Sequence, residues 1–153
     1  MFQSVETPDG ELIPTLRVPY LSQTESDHMC LIYSLLMVFN YYRNVFEKES
    51  VRRIIPEASR DDLVSLTGAE YGLGITISQK LIADLNGTYP ELNFSLEKNS
   101  SMSKIQKSIE EYHPPIVIYN ITQILNDEEG PGHAGVLIGL NKNLVVLNNP
   151  WLG

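Results

Sequence analysis

Residues Gln23 to Tyr42 read QTESDHMCLIYSLLMVFNYY. Up to Asp27 the stretch is polar and short-sided. From Leu31 to Tyr42 it is almost unbroken apolar sequence, and Cys30, the only cysteine in the chain, stands at the boundary. The apolar run is too long for a typical strand and apolar on every face, which predicts a buried central helix. Ser26 and Asp27 are good N-cap residues, because their oxygens accept from the orphan N–H groups of a first helical turn. Cys30 then falls in that first turn. A thiol there feels the positive end of the helix dipole, which favours thiolate over thiol.

Composition bounds what such a thiol serves. The chain has 153 residues, 42% of them hydrophobic, so one domain with a real core is expected over residues 1–153. A net charge of −8 argues against nucleic acid or an anionic membrane as the main partner. No segment approaches the length of an apolar membrane span, and the N-terminus lacks a signal-peptide pattern. With one cysteine, no internal disulfide can form, which fits a reducing, cytoplasmic compartment. Cys30 and the three histidines, His28, His113 and His133, show no metal-ligand spacing. No metal or other cofactor is expected.

Around the central helix the chain divides into α-helical and β-rich parts. Residues 1 to 11 are polar and end in the turn signal Pro8-Asp9-Gly10. Leu12 to Leu21 alternates loosely, interrupted by Pro14 and Pro19, and predicts an edge strand. The central helix should run to about Asn44. Short helices follow at Glu47–Ile55, at Arg60–Leu66 with Ser59 as cap, and at Ile77–Leu85 with Thr76 as cap. Leu92–Leu96 alternates as a strand does. Ser101 or Ser103 caps an amphipathic helix to Tyr112, with Ile105 and Ile109 on one face. Ile116–Tyr119 is a short buried strand. An acidic, Gly/Pro-rich loop, Asn126–Gly132, leads to a hairpin of Ala134–Leu140 and Leu144–Leu147 with Asn141-Lys142-Asn143 at its turn. Helices in front and antiparallel strands behind make an α+β fold.

A cysteine nucleophile needs a base and a group that orients the base. His133 heads one hairpin strand and Asn149 follows its partner, so the two should be neighbours. The Asn oxygen can accept from one ring nitrogen and leave the other for the thiol. Gln23, with a backbone N–H at Cys30, is placed to stabilise an oxyanion. The other histidines read differently. His28 is too close to Cys30 on a short loop to aim a base, and reads as a rim residue; His113 reads as surface. Tyr33, Phe39, Tyr41 and Tyr42 read as core, and Asp127-Glu128-Glu129 as a solvated loop.

These residues resemble a known pattern. Val18-Pro19-Tyr20, Gln23, Cys30 and Met37-Val38-Phe39-Asn40-Tyr41-Tyr42 open it. Pro114-Pro115-Ile116-Val117, His133-Ala134-Gly135-Val136-Leu137-Ile138-Gly139 and Asn149-Pro150-Trp151-Leu152-Gly153 complete it. The chain is similar to C39-type cysteine peptidases of the papain-like superfamily over nearly its whole length. Leu31 stands where the pattern has Gly, Gln23 lies one residue further from the cysteine, and Asn149 replaces the common Asp. The resemblance implies a papain-like α+β fold with the central helix packed on the C-terminal antiparallel sheet. It implies Cys30 as nucleophile, His133 as base, Asn149 as its orienting partner and Gln23 in the oxyanion hole. It also implies a peptide or protein substrate, such as a leader peptide, and a domain fused to or associated with a larger protein. Two other activities fit the same residues: peptide binding without turnover, and acyl transfer or amide hydrolysis on a small molecule.

Overall fold

In the computed structural model the described residues are 2–23, 28–48, 55–70, 75, 77–120 and 132–151. They form two antiparallel sheets and four helices. The first sheet is a hairpin of β1 (Phe2–Glu6) and β2 (Leu12–Leu16), paired from Phe2↔Leu16 to Glu6↔Leu12. Gly10 N–H donates to Thr7 O at 2.9 Å, and Gly10 has φ 82°, so glycine is the residue that closes this turn without strain. β1 is exposed along its whole length, whereas β2 buries Ile13 and Leu16. That explains why β1 escaped the sequence reading: its ladder to β2 holds it, and its apolar residues, Phe2 and Val5, do not alternate. The strand expected to reach Leu21 stops at Leu16, where Val18 N–H turns back to Leu16 O at 2.9 Å.

The central helix α1 spans Cys30–Lys48, a turn longer than expected, with Cys30 as its first residue. Ser26 and Asp27 lie outside the described residues. So does residue 49–54 of the expected Glu47–Ile55 helix, whose first two residues belong to α1. Two sides of α1 are buried against different partners. Ile32, Leu35 and Phe39 pack in a core with Leu63, Leu81 and Tyr89. Met37, Val38 and Tyr41 pack in a second core with Leu16, Val136 and Ile138. A helix covered on both sides needs no polar face, which is why its sequence shows no amphipathic stripe. Tyr33 and Tyr42 are only partly buried.

The remaining helices brace α1. α2 (Arg60–Thr67) has the expected Ser59 cap, completed by the carboxylate of Asp62 in a capping box, and ends at Gly68 with φ 68°. α3 (Gln79–Thr88) is capped by Ser78, whose hydroxyl accepts from Leu81 N–H. The expected cap, Thr76, lies outside the described residues, and the helix continues through Gly87. Leu92–Leu96 is not a strand. Both backbone groups of Phe94 bond the Asn86 side chain, at 2.7 and 2.9 Å, in place of a neighbouring strand. α4 (Met102–Glu110), capped by Ser101, buries Ile109.

The second sheet has the order β3 (Ile116–Asn120), β4 (Gly132–Leu140), β5 (Val145–Asn148), all antiparallel. Its central strand β4 is buried from His133 to Gly139 and meets both α1 and β2. At Gly139 the approach of β2 is so close that a Cβ would lie 2.6 Å from Pro14 O. The β4–β5 register shifts between Leu137 and Gly139. The turn after β4 is held by Asn141, whose side-chain oxygen accepts from Asn143 and Leu144 N–H. The architecture is thus α+β, with an N-terminal hairpin added to the expected helices and sheet. Among the described residues no helix is long and apolar enough to cross a membrane.

Candidate active site

The site forms where the head of α1 meets the head of β4. Cys30 is the first helical residue and is partly exposed. Its Sγ accepts a hydrogen bond from the backbone N–H of Ala134 at 3.4 Å. Ala134 directly follows His133, so the thiol and the imidazole are carried by adjoining points of one contact. Both the N–H group and the helix N-terminus favour a negative sulfur.

His133 is 7% exposed. Its Nε2 lies 2.6 Å from Asn149 Oδ1. The same Oδ1 accepts from Trp151 N–H at 3.0 Å. A backbone N–H can only donate, so this atom of Asn149 acts as an acceptor and the proton of the 2.6 Å contact belongs to His133 Nε2. In the neutral ring Nδ1 is then the basic nitrogen. Asn149 therefore selects a tautomer as well as a ring position. The ring also meets two aromatic neighbours. Tyr119 lies edge-on with centroids 5.5 Å apart, and Trp151 is tilted at 6.0 Å. Burial and then the charge of Cys30 push the Tyr119 phenol up from its ordinary pKa, so it stays protonated at neutral pH.

Gln23 reaches this region through the C-terminal end of β5. Asn148 Nδ2 donates to Val18 O at 3.0 Å, and Gln23 N–H donates to Pro150 O at 2.7 Å. These two bonds fasten the segment before Cys30 alongside Asn149 and Pro150. Gln23 Oε1 is buried and has no hydrogen-bond partner among the described residues. Turning the amide over puts the NH2 in that place without breaking any bond made by Oε1. Residues 24–27, which link Gln23 to His28, lie outside the described residues.

The structure therefore brings His133 and Asn149 into contact, sets Cys30 against the residue after His133, and ties Gln23 to the residue after Asn149. His28 is exposed, at φ 50°. His113 is exposed too, with its Nδ1 2.9 Å from the Tyr42 hydroxyl. The acidic run Asp127–Glu129 lies outside the described residues. Three contributors escaped the sequence reading: Tyr119, Trp151 and Asn148. The successive asparagines at 148 and 149 were the available signal. In an extended chain neighbouring side chains point to opposite sides, so one can fasten Val18 while the other meets His133.

A thiol at a helix N-terminus and a buried imidazole of defined tautomer are residue types that a sulfur nucleophile and its base require. Comparison with known families gives the same class: residues 15–152 match the model described as the Peptidase_C39 like family. The chain belongs to that family, which is of the cysteine-peptidase type. No curated protein and no solved structure matches the chain.

Proposed function

We propose that the chain is a papain-like cysteine peptidase domain that cleaves a peptide bond with Cys30, His133 and Asn149. The observation that carries this reading is the 2.6 Å contact of His133 Nε2 with Asn149 Oδ1, made beside a cysteine whose sulfur already accepts an N–H bond. In the proposed reaction Cys30 Sγ attacks the scissile carbonyl carbon, and its proton passes to His133 Nδ1. The carbonyl oxygen gains the negative charge, which the Gln23 amide and backbone N–H groups near Cys30 stabilise. Collapse expels the amine, which takes the proton from His133 and leaves a thioester. Water then attacks the thioester with His133 again as base, releasing the acid and restoring the thiol. Leu31 is buried and belongs to the core cluster on α1, so it is accommodated by packing. A peptide substrate such as a leader segment is the class the family suggests.

Hydrolysis of a fluorogenic peptide amide, measured for the intact chain and two variants, tests the proposal. Cys30→Ala should abolish turnover. Gln23→Ala should lower kcat by about 10²–10³ with KM nearly unchanged, since an oxyanion donor acts mainly in the transition state. A chain that binds peptides but turns over none, with or without Cys30, would replace the enzyme with a peptide-binding domain. Turnover that needs Cys30 but ignores Gln23→Ala would move the oxyanion site to backbone donors.

A further inference from the structure

Tyr119 faces His133 directly across the β3–β4 ladder. Their rings stand at 81° with centroids 5.5 Å apart. Gly135, two residues along β4 from His133 and on the same face, lies next to the phenol. A Cβ at Gly135 would lie 3.7 Å from Tyr119 Cε1 and 3.8 Å from its hydroxyl oxygen. The phenol thus runs from His133 alongside Gly135. A single hydrogen bond at Nε2 fixes one point of the imidazole and leaves the ring free to turn about that bond. An edge-on aromatic neighbour removes that freedom.

We propose that Tyr119 is a positioning residue: its ring fixes the plane of the His133 imidazole that is to receive the Cys30 proton. The inference rests on the proposed roles of Cys30 and His133, and adds to them a third support that Asn149 does not supply. The ring carries the effect, through its packing against the imidazole. Among the described residues the titratable groups in play are Tyr119, opposite His133 on β3, and Cys30, at the head of α1, whose Sγ accepts from the neighbouring Ala134 N–H. Asn149 and Trp151, after β5, do not titrate.

Because Cys30 is the only cysteine, iodoacetamide alkylation of the full chain against pH reports this one thiol. Tyr119→Phe, which keeps the ring, should reproduce the parent midpoint. Tyr119→Leu should move the midpoint up by about 0.5–1 pH unit, the size of an edge-on aromatic pair. The direction follows from the geometry: an imidazole free to turn away pairs with the thiolate less well, so deprotonation needs a higher pH. Tyr119→Met, which fills the space without a ring, carries the same expectation, and circular dichroism checks that both variants fold. Midpoints for Leu and Met equal to the parent's would overturn the inference and leave the Cys30–His133 reading intact. A Phe variant shifted as far as Leu would overturn it too, by assigning the effect to the hydroxyl. A parent midpoint equal to that of free cysteine would defeat both the inference and the reading beneath it.

Discussion

His133→Ala is expected to lower peptide hydrolysis by about 10⁴-fold or more while leaving peptide binding in place. In the proposed mechanism His133 performs both proton transfers, so its removal leaves only the thiol, its Ala134 N–H contact and the oxyanion donors. Asn149 acts one step further out. Its Oδ1 accepts the hydrogen bond from Nε2 at 2.6 Å and is itself held by Trp151 N–H. Asn149→Ala frees the ring to adopt the other tautomer and other orientations, so kcat should fall while KM changes little. Asn149→Asp keeps an acceptor oxygen in place and should preserve most of the rate. Steady-state kinetics on the three variants checks the order: His133→Ala worst, Asn149→Ala intermediate, Asn149→Asp mildest. An Asn149→Ala enzyme as fast as the parent would remove Asn149 from the mechanism.

Gly139→Ala is expected to cost about 3 kcal/mol of stability, at the upper end of ordinary overpacking. The added Cβ would meet Pro14 O at 2.6 Å and Thr15 Cγ2 at 2.7 Å, with Thr15 Cα at 3.3 Å. Two of these three atoms belong to the backbone of β2, and Thr15 is fully buried. The strand cannot step aside without disturbing Ile13 and Leu16 in the core. Gly87→Ala makes the matching control. Gly87 lies inside α3 with nothing within 4 Å of its added Cβ, so alanine should stabilise by about 0.4–1 kcal/mol through backbone entropy and helix propensity. Thermal denaturation should show a fall of about 6–12 °C for Gly139→Ala and a rise of a few degrees for Gly87→Ala. Equal Tm values for the two variants would contradict the close β2–β4 packing.

The helix at Cys30 was legible because a long run, apolar on every face, has few other fates in a chain of this size. The neighbourhood of His133 and Asn149 was legible for a reason of chain geometry. A short turn between two strands sets the start of one against the end of the other. What the sequence hid was held by contacts without periodicity. β1 is a strand by pairing alone, with every side chain exposed. Leu92–Leu96 alternates like a strand, yet the side chain of Asn86 takes its backbone bonds. Thr76 and Ser78 are both plausible caps by residue type, and the hydroxyl of Ser78 is the one bonded to Leu81 N–H. Around the site, Tyr119 read as one more strand residue, because only the β3–β4 register sets it opposite His133. The placement of Gln23 depends on the two bonds that fasten its segment to Asn148 and Pro150, and neither has a local sequence signal.

The central claim, that Cys30 is an activated nucleophile paired with His133, meets its most direct test in the pH dependence of alkylation of the intact chain. A helix N-terminus, the Ala134 N–H and a neighbouring imidazole all favour thiolate. The midpoint should therefore lie clearly below the ~8.5 of free cysteine, and His133→Ala should move it back towards that value. A midpoint at or above ~8.5, unchanged by His133→Ala, would contradict the claim and make Cys30 an ordinary half-buried thiol.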